Sequence, residues 1–200
     1  MDNIWDTFAR LLAAYNSSIV TLHFLAVAIG LGGATITDIL FFKFLRNFRI
    51  SKKETDIMRT LSRAIWFSLA ILVLTGVALY IPQANELNHS AKFLAKMVVV
   101  AVIIINGIFL NLFVAPKLVK ISFEETRKHQ PEKLHRERKI AFALGVVSII
   151  SWYSAFLLGM LRNISMSFSS LILIYVLLLL LGIFVSQYIE RFFVRRANSK

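Results

Sequence analysis

The sequence predicts an all-α integral membrane protein, built as one bundle of five transmembrane helices. Two observations lead to this prediction. First, 58% of the 200 residues are hydrophobic and only 17% are charged, whereas soluble globular domains have about 45–50% apolar and about 25% charged residues. Second, the apolar residues fall into five runs, and each is long enough for the roughly 20 helical residues that cross a bilayer. The runs cover residues 18–42, 64–81, 93–116, 140–161 and 168–188.

Residues 1–17, before the first run, are predicted to form a short helix that lies along the outer surface of the membrane. Ile4, Trp5, Phe8 and Leu11 recur at helical spacing, with polar residues between them. One apolar face and one polar face are typical of a helix in the membrane interface. The alternative is an N-terminal segment without regular structure.

The connections between the runs predict how the helices follow one another. Before the second run, SKKE at residues 51–54 fits a capping box, so the second helix is expected to start at Lys52 and to end near Pro82. Pro131 suits the first turn of a helix that continues into the fourth run. The other connections are short, which favours antiparallel neighbours in an up-and-down bundle. We therefore expect a single membrane domain of residues 1–200.

Positive charge is distributed unevenly along the chain. Nineteen of the 23 Lys and Arg residues follow the first run, follow the third run or lie in the C-terminal tail. Because positive residues are retained in the cytoplasm, the N-terminus is predicted to be outside and the C-terminus inside. The net charge of +12 then reflects topology, and nucleic acid is excluded as a partner. Short connections and the absence of cysteine favour a bacterial inner (plasma) membrane.

Five polar residues interrupt the apolar runs at defined depths. His23 and Asp38 are 15 residues apart in the first helix, and Lys96 and Asn111 are 15 apart in the third, which is about 22 Å along each axis. Both helices are expected to run inwards from the outer side. The spacing thus predicts two levels, His23 with Lys96 and Asp38 with Asn111, while Asn106 lies between them.

Each polar residue has a structural alternative to a functional role. Lys96 has a side chain long enough to extend its amine to the outer surface. Asp38 is expected to be neutral or to pair with Asn111 or Lys43, and the two asparagines suit hydrogen bonds between helices. A purely structural role explains His23 less well, because Ser, Thr or Asn would be sufficient for such a role. A ligand or proton role is the functional interpretation.

Gly30 and Trp152 are candidate cofactor-binding residues. Gly30 lies two helical turns from His23 on the same face, where a small residue lets another helix or a flat porphyrin approach the backbone. Trp152 falls near the middle of the fourth run, where a buried indole needs a surface to pack on. Packing between helices is the alternative for both residues.

These features resemble a known family. A His in the first membrane helix, a Lys near the start of the third ("AKFLAKMVVV") and a charged approach to the fourth ("LHRERKIA") are similar to those of HemJ-type protoporphyrinogen oxidases and CopD-like membrane domains. The resemblance covers residues 19–161. It implies a bound haem b, with His23 and Lys96 as the axial ligands of the iron.

Three functions remain open at this point. The first is a membrane b-type haem protein, possessing haem-dependent oxidoreductase activity or transferring electrons, with a redox partner or a small hydrophobic substrate. The second is a small transporter or channel with a polar path through Asp38, Asn106 and Asn111, for which a homo-oligomer would supply symmetry. The third is a membrane subunit whose basic inner face binds a partner protein.

Overall fold

The computed structural model describes residues 4–47, 52–114, 131–161 and 165–198, and all regular structure in these ranges is helical. We number the α-helices in chain order; a 3-10 turn follows α3 and a π-helical turn follows α5. The elements are α1 (Ile4–Ala14), α2 (Asn16–Asn47), α3 (Lys52–Tyr80), the 3-10 turn (Ile81–Gln83), α4 (Ala84–Leu87), α5 (Ala91–Phe109), the π turn (Leu110–Val114), α6 (Pro131–Met160) and α7 (Phe168–Asn198).

Five of these helical segments are long and apolar enough to cross a membrane, which confirms the five predicted runs. α3 starts at Lys52 and α6 starts at Pro131, as the sequence predicts. The capping residue Ser51 and the end of the third run, residues 115–116, lie outside the described residues. The segments suited to a membrane are Asn16–Lys43, Lys53–Leu87, Ala91–Phe113, Lys139–Met160 and Phe168–Ile189.

The surface of the bundle is apolar, as contact with lipid requires. Large side chains that point away from the bundle include Leu74, which is 70% exposed, and Phe184, which is 72% exposed. Exposed apolar residues of this kind occur along every long helix. In water such a continuous apolar surface would mark an interaction site or cause aggregation, whereas in a bilayer it matches the surrounding hydrocarbon. The structure is therefore that of a multi-pass membrane protein.

The N-terminal helix forms as predicted. α1 contacts the 3-10 turn Ile81–Gln83, which lies at the end of α3. Its residues Ile4 and Trp5 are 85% and 70% exposed, so its apolar face is not buried against the bundle. We call the end of the bundle that holds α1 and α4 the α1 end, and the opposite end the far end.

α6 occupies the centre of the bundle. It packs against α2, α5 and α7, while α3 packs against α2. Consecutive long helices are therefore close neighbours except at one step, because among the described residues α3 and α5 have little backbone contact. Side chains join those two helices instead, for example where the ring of Trp66 lies against Gly107. Contact between α3 and α5 is therefore made by side chains more than by close backbone packing.

Two apolar clusters fill the interior. The central cluster lies at mid-bundle and joins all five long helices through six buried residues. The far cluster lies nearer the far end. The buried members of the central cluster are Ala34, Leu69, Val99, Ile103, Trp152 and Tyr175. Those of the far cluster are Phe41, Ala141 and Phe142.

Polar contacts cross several of the closely packed helix pairs. His23 on α2 bonds Thr75 on α3 at 2.8 Å. The Asn106 amide on α5 donates to a carbonyl of α6 at 3.1 Å. The hydroxyls of Ser151 on α6 and Tyr175 on α7 are 2.7 Å apart. Such contacts contribute to helix association in lipid, where the hydrophobic effect does not hold helices together.

Gly30 marks a close approach between α2 and α6. A Cβ atom at Gly30 would lie 2.7 Å from Cη2 of Trp152 and 2.8 Å from Oγ of Ser68. Trp152 is buried and Ser68 is fully buried, so neither neighbour has free space into which to move. The indole of α6 therefore rests directly on the backbone of α2, and a side chain at this position would separate the two helices.

Replacing Gly30 by alanine should destabilise the protein by about 1–3 kcal/mol, the usual cost of adding a methyl group to a packed interior. Gly32 is the matched control, because nothing lies within 4 Å of a Cβ placed there. Gly32→Ala should leave the thermal unfolding midpoint in detergent unchanged or slightly raised. Equal midpoints for Gly30→Ala and Gly32→Ala would contradict the close contact with Trp152.

Candidate functional site

His23 is held in one orientation by Thr75. The Thr75 hydroxyl donates its single proton to the Ile71 carbonyl at 2.6 Å. It must therefore accept the hydrogen bond from His23 Nδ1, which lies 2.8 Å away. A neutral imidazole that is protonated at Nδ1 has its lone pair at Nε2. The geometry thus presents Nε2 of His23 as a free acceptor or ligand.

The local sequence of α3 makes this arrangement possible. Thr75 is buried, and a threonine that bonds back to its own helix has a fixed hydroxyl. The next residue is Gly76, and a Cβ there would lie 3.8 Å from Cε1 of His23. The imidazole therefore lies beside a helix surface without a side chain. The sequence pattern does not single out Thr75, because a threonine that bonds only its own helix and one that also bonds a neighbouring helix look the same in a sequence.

Lys96 lies at the level of His23. It is half-buried on α5 between the buried residues Ala95 and Val99, and it is close enough to His23 for their charges to interact directly. Lys96 makes no hydrogen bond or ion pair with the part of the chain that the structure describes. Lys92, one turn nearer the α1 end, differs because its ammonium group donates to the Leu161 carbonyl.

An aromatic pair bounds this level on the side of the α1 end. The rings of Tyr80 and Phe93 stack with centroids 5.5 Å apart and an interplanar angle of 7°. Tyr80 is one turn beyond Gly76 on α3, and Phe93 is one turn before Lys96 on α5. On the other side lies the central cluster. His23, Thr75 and Lys96 therefore occupy a polar level between two apolar layers, which we call the His23 level.

A second polar level lies on the far side of the central cluster. Asp38 on α2 is only 4% exposed, and Asn106 on α5 is 5% exposed. The Ser148 hydroxyl on α6 is within hydrogen-bonding reach of the Asp38 carboxyl group. Asn106 donates to the Leu144 carbonyl, one turn away from Ser148 on the same helix. We call Asp38, Asn106 and Ser148 the buried polar layer.

Asn111 does not join Asp38, contrary to the predicted pairing. Its side-chain carbonyl accepts a hydrogen bond from Ser62 on α3 at 3.4 Å, at an exposed position. Asn111 lies in the π turn Leu110–Val114, and a π turn shifts the residues after it around the helix axis. Asn106, before that turn, is the asparagine that shares the interior with Asp38. Lys43, the other predicted partner, is exposed and forms no ion pair with Asp38 within the described ranges.

Gly30 and Trp152 also differ from their predicted role. Both were candidates to line a cofactor, but the indole of Trp152 covers Gly30 directly, and both belong to the packed interior below the His23 level. Close helix packing accounts for each residue, so the structure supports the alternative interpretation for the pair. Sequence periodicity identifies the face that each residue occupies but not its partner on the other helix.

Within the described residues, no group of three or more His, Cys, Asp or Glu side chains is arranged to hold a metal ion. Comparison of the chain with protein-family models, with curated proteins and with solved structures finds no match.

The tautomer of His23 can be tested directly by nitrogen NMR of histidine-labelled protein. The signal of His23 should be that of an imidazole protonated at Nδ1, because Thr75 can only accept. Thr75→Val removes the acceptor with little change in volume and should abolish this preference, while Thr75→Ser retains the hydroxyl and should preserve it. An Nε2-protonated signal in the unaltered protein would show that the assignment is wrong.

Proposed function

We propose that the protein is an integral membrane b-type haem-binding protein that transfers electrons or oxidises a small hydrophobic substrate. His23 and Lys96 are the proposed axial ligands. The observation that favours this function is the hydrogen bond from His23 Nδ1 to Thr75. A ligating histidine typically donates its second ring nitrogen to a fixed acceptor, which orients the ring and increases its basicity.

The chain supplies two nitrogen ligands from different helices, one from α2 and one from α5. Thr75 keeps the lone pair of His23 Nε2 directed away from α3, and Gly76 leaves the neighbouring helix surface free of a side chain. Lys96 can act as a ligand only as the neutral amine, which has a lone pair. Lys96 makes no hydrogen bond to the described residues, which leaves that amine available.

When bound, haem would supply reversible one-electron chemistry, with the protein controlling its ligands, solvent access and surroundings. Apolar layers flank the proposed ligands on both sides of the His23 level, formed by the Tyr80–Phe93 pair and the central cluster. Gly30 and Trp152 are not part of this proposal, because they contact each other.

We also propose that the α1 end faces the outside of a bacterial plasma membrane. The connections at the far end carry most of the Lys and Arg residues, and positive residues are retained in the cytoplasm. α1, with its exposed apolar face, would then lie in the outer membrane interface. The His23 level is on this side of the bundle, so any partner that exchanges electrons there would approach from outside or from the outer leaflet.

The transport alternative is less well supported by the packing. A polar path from Asp38 to His23 would have to cross the central cluster, where Trp152 rests on Gly30. The α2 hydroxyls of Thr35 and Thr37, the other polar groups near such a path, donate to carbonyl groups of their own helix at 2.7 and 2.8 Å. Asn111 lies at an exposed position, where it accepts a hydrogen bond from Ser62, and so it is not in the bundle interior.

Haem binding can be tested by expression with ample haem and by a reduced-minus-oxidised absorption spectrum of the purified protein. His23→Ala should abolish or greatly reduce haem content, while the matched change His89→Ala, at an exposed site, should have no effect. Lys96→Ala should retain some haem with a shifted spectrum, because one axial bond remains. Lys92→Ala is its control.

Asp38→Asn should leave the haem spectrum nearly unchanged, because Asp38 is about 22 Å from His23 along α2. Full haem content with an unaltered spectrum in His23→Ala would exclude His23 as a ligand. Absence of a Soret band from the unaltered protein would exclude the proposed function itself.

Orientation can be tested with single cysteines, because the chain contains none of its own. Glu86→Cys, on an exposed position of α4, should react with a membrane-impermeant maleimide in intact cells. Arg59→Cys, near the far end of α3, should react only after the membrane is permeabilised. The reverse pattern would show that the α1 end faces the cytoplasm.

A further inference from the structure

The buried polar layer interrupts three apolar helix faces at the same height. On α2, Asp38 lies between Ala34 of the central cluster and Phe41 of the far cluster, at spacings of four and three residues. Residues three or four apart share one face of a helix. Asp38 therefore lies on the same face of α2 as both clusters, and apolar residues pack on either side of it along the helix.

α5 and α6 repeat this arrangement. On α5, Asn106 follows Ile103 of the central cluster and precedes Leu110, which packs against the far cluster. On α6, Ser148 lies one turn from Trp152 of the central cluster and about two turns from Ala141 of the far cluster. Since the three helices share both clusters, their polar residues meet in the interval between them.

Two oxygen atoms in this interval have no partner. Oδ2 of Asp38 and Oδ1 of Asn106 are buried, and neither makes a hydrogen bond with any residue that the structure describes. Both side chains are more than nine-tenths buried. Native proteins rarely bury unpaired polar atoms, and such atoms indicate a bound water, ion or functional group. Two of them, on separate helices in one closed interval, indicate a shared ligand.

The chemistry of the layer limits what this ligand can be. Its free atoms are oxygens, which accept hydrogen bonds or coordinate hard cations. Asp38 is the one ionisable group of the layer, so a single positive charge neutralises it. A buried carboxylate without a countercharge costs several kcal/mol. A monovalent cation satisfies both free oxygens and the charge at once.

Other charged groups do not provide this neutralisation. Those nearest to Asp38 on its own and neighbouring helices are either exposed or more than two turns away from the layer along their helices. Asp38 forms no ion pair with them in the ranges that the structure describes. They are Lys43 on α2, Arg59 and Arg63 on α3, Lys96 on α5 and Lys139 on α6.

We propose that Asp38 and Asn106 form an exchangeable binding site for one monovalent cation, a proton or Na⁺, in the interior of the bundle. Ser148 donates to the carboxyl group and fixes its orientation. A proton would sit on Oδ2 of Asp38 and make it a donor towards Asn106, directly or through one water. Na⁺ would be coordinated by oxygens of Asp38, Asn106 and Ser148. The site does not depend on haem, which would bind on the other side of the central cluster.

Infrared difference spectroscopy can identify the occupant. The difference between the unaltered protein and Asp38→Asn isolates the carboxyl bands of Asp38, and asparagine preserves the shape of the side chain. In a buffer whose cation is tetramethylammonium, we expect the C=O band of a protonated carboxylic acid. This band should be lost as the pH rises within the range in which the fold persists.

Addition of Na⁺ distinguishes the two occupants. If the site takes Na⁺, the acid band should be replaced by carboxylate bands at constant pH, and Na⁺ should raise the unfolding temperature of the unaltered protein but not of Asp38→Asn. If the site takes only protons, Na⁺ should change neither the carboxyl bands nor the unfolding temperature. Either result supports a monovalent cation site and identifies its ligand.

Asn106 provides an independent test of the geometry. Asn106→Leu removes the second free oxygen and should shift the Asp38 band or the Na⁺ response, whereas the matched change Asn111→Leu on the same helix should not. The proposal is overturned if Asp38 is an acid at every accessible pH with or without Na⁺, since nothing then exchanges. It is also overturned if Asp38 is a carboxylate that responds to neither pH nor Na⁺. Haem content need not be measured, so failure here is distinct from failure of haem binding.

Discussion

The contact between the Trp152 indole and the bare backbone of Gly30 sets how closely α2 and α6 approach each other. A Cβ at Gly30 would be 2.7 Å from this ring, so the approach is available only to glycine. Four residues from Trp152 on α6, Ser148 comes within reach of Asp38, and two turns from Gly30 on α2, His23 comes beside Thr75. A wider separation of α2 and α6 would disrupt the buried polar layer first.

Polar contacts connect several pairs of helices in this bundle. In lipid the helices gain little from apolar burial alone, so van der Waals packing and internal hydrogen bonds hold them together. His23 to Thr75 connects α2 with α3, and Asn106 to the Leu144 carbonyl connects α5 with α6. The same residues that the sequence marks as functional candidates therefore also maintain the fold. A change in any of them must be assessed for assembly as well as for ligand binding.

The sequence was sufficient to predict the five long helices and the starts of α3 and α6, because apolar runs, a capping box and Pro131 are local signals. It was not sufficient to pair the helices. Residue spacing along two regular helices places Asn111 at the depth of Asp38. The π turn after Phe109 breaks that register, so Asn106 is the asparagine buried at that depth. Gly30 and Trp152 were each identified as unusual, yet their mutual contact depends on α6 lying beside α2, which no local pattern encodes.

The central position of α6 also matters during synthesis. A chain is made from its N-terminus at about 5–20 residues per second, so α2, α3 and α5 are inserted before the helix that joins them exists. For several seconds Asp38 and Asn106 lack Ser148 and the Leu144 carbonyl as partners. Trp152 also does not yet pack on Gly30. During this interval the nascent chain is a three-helix fragment with polar side chains open to lipid.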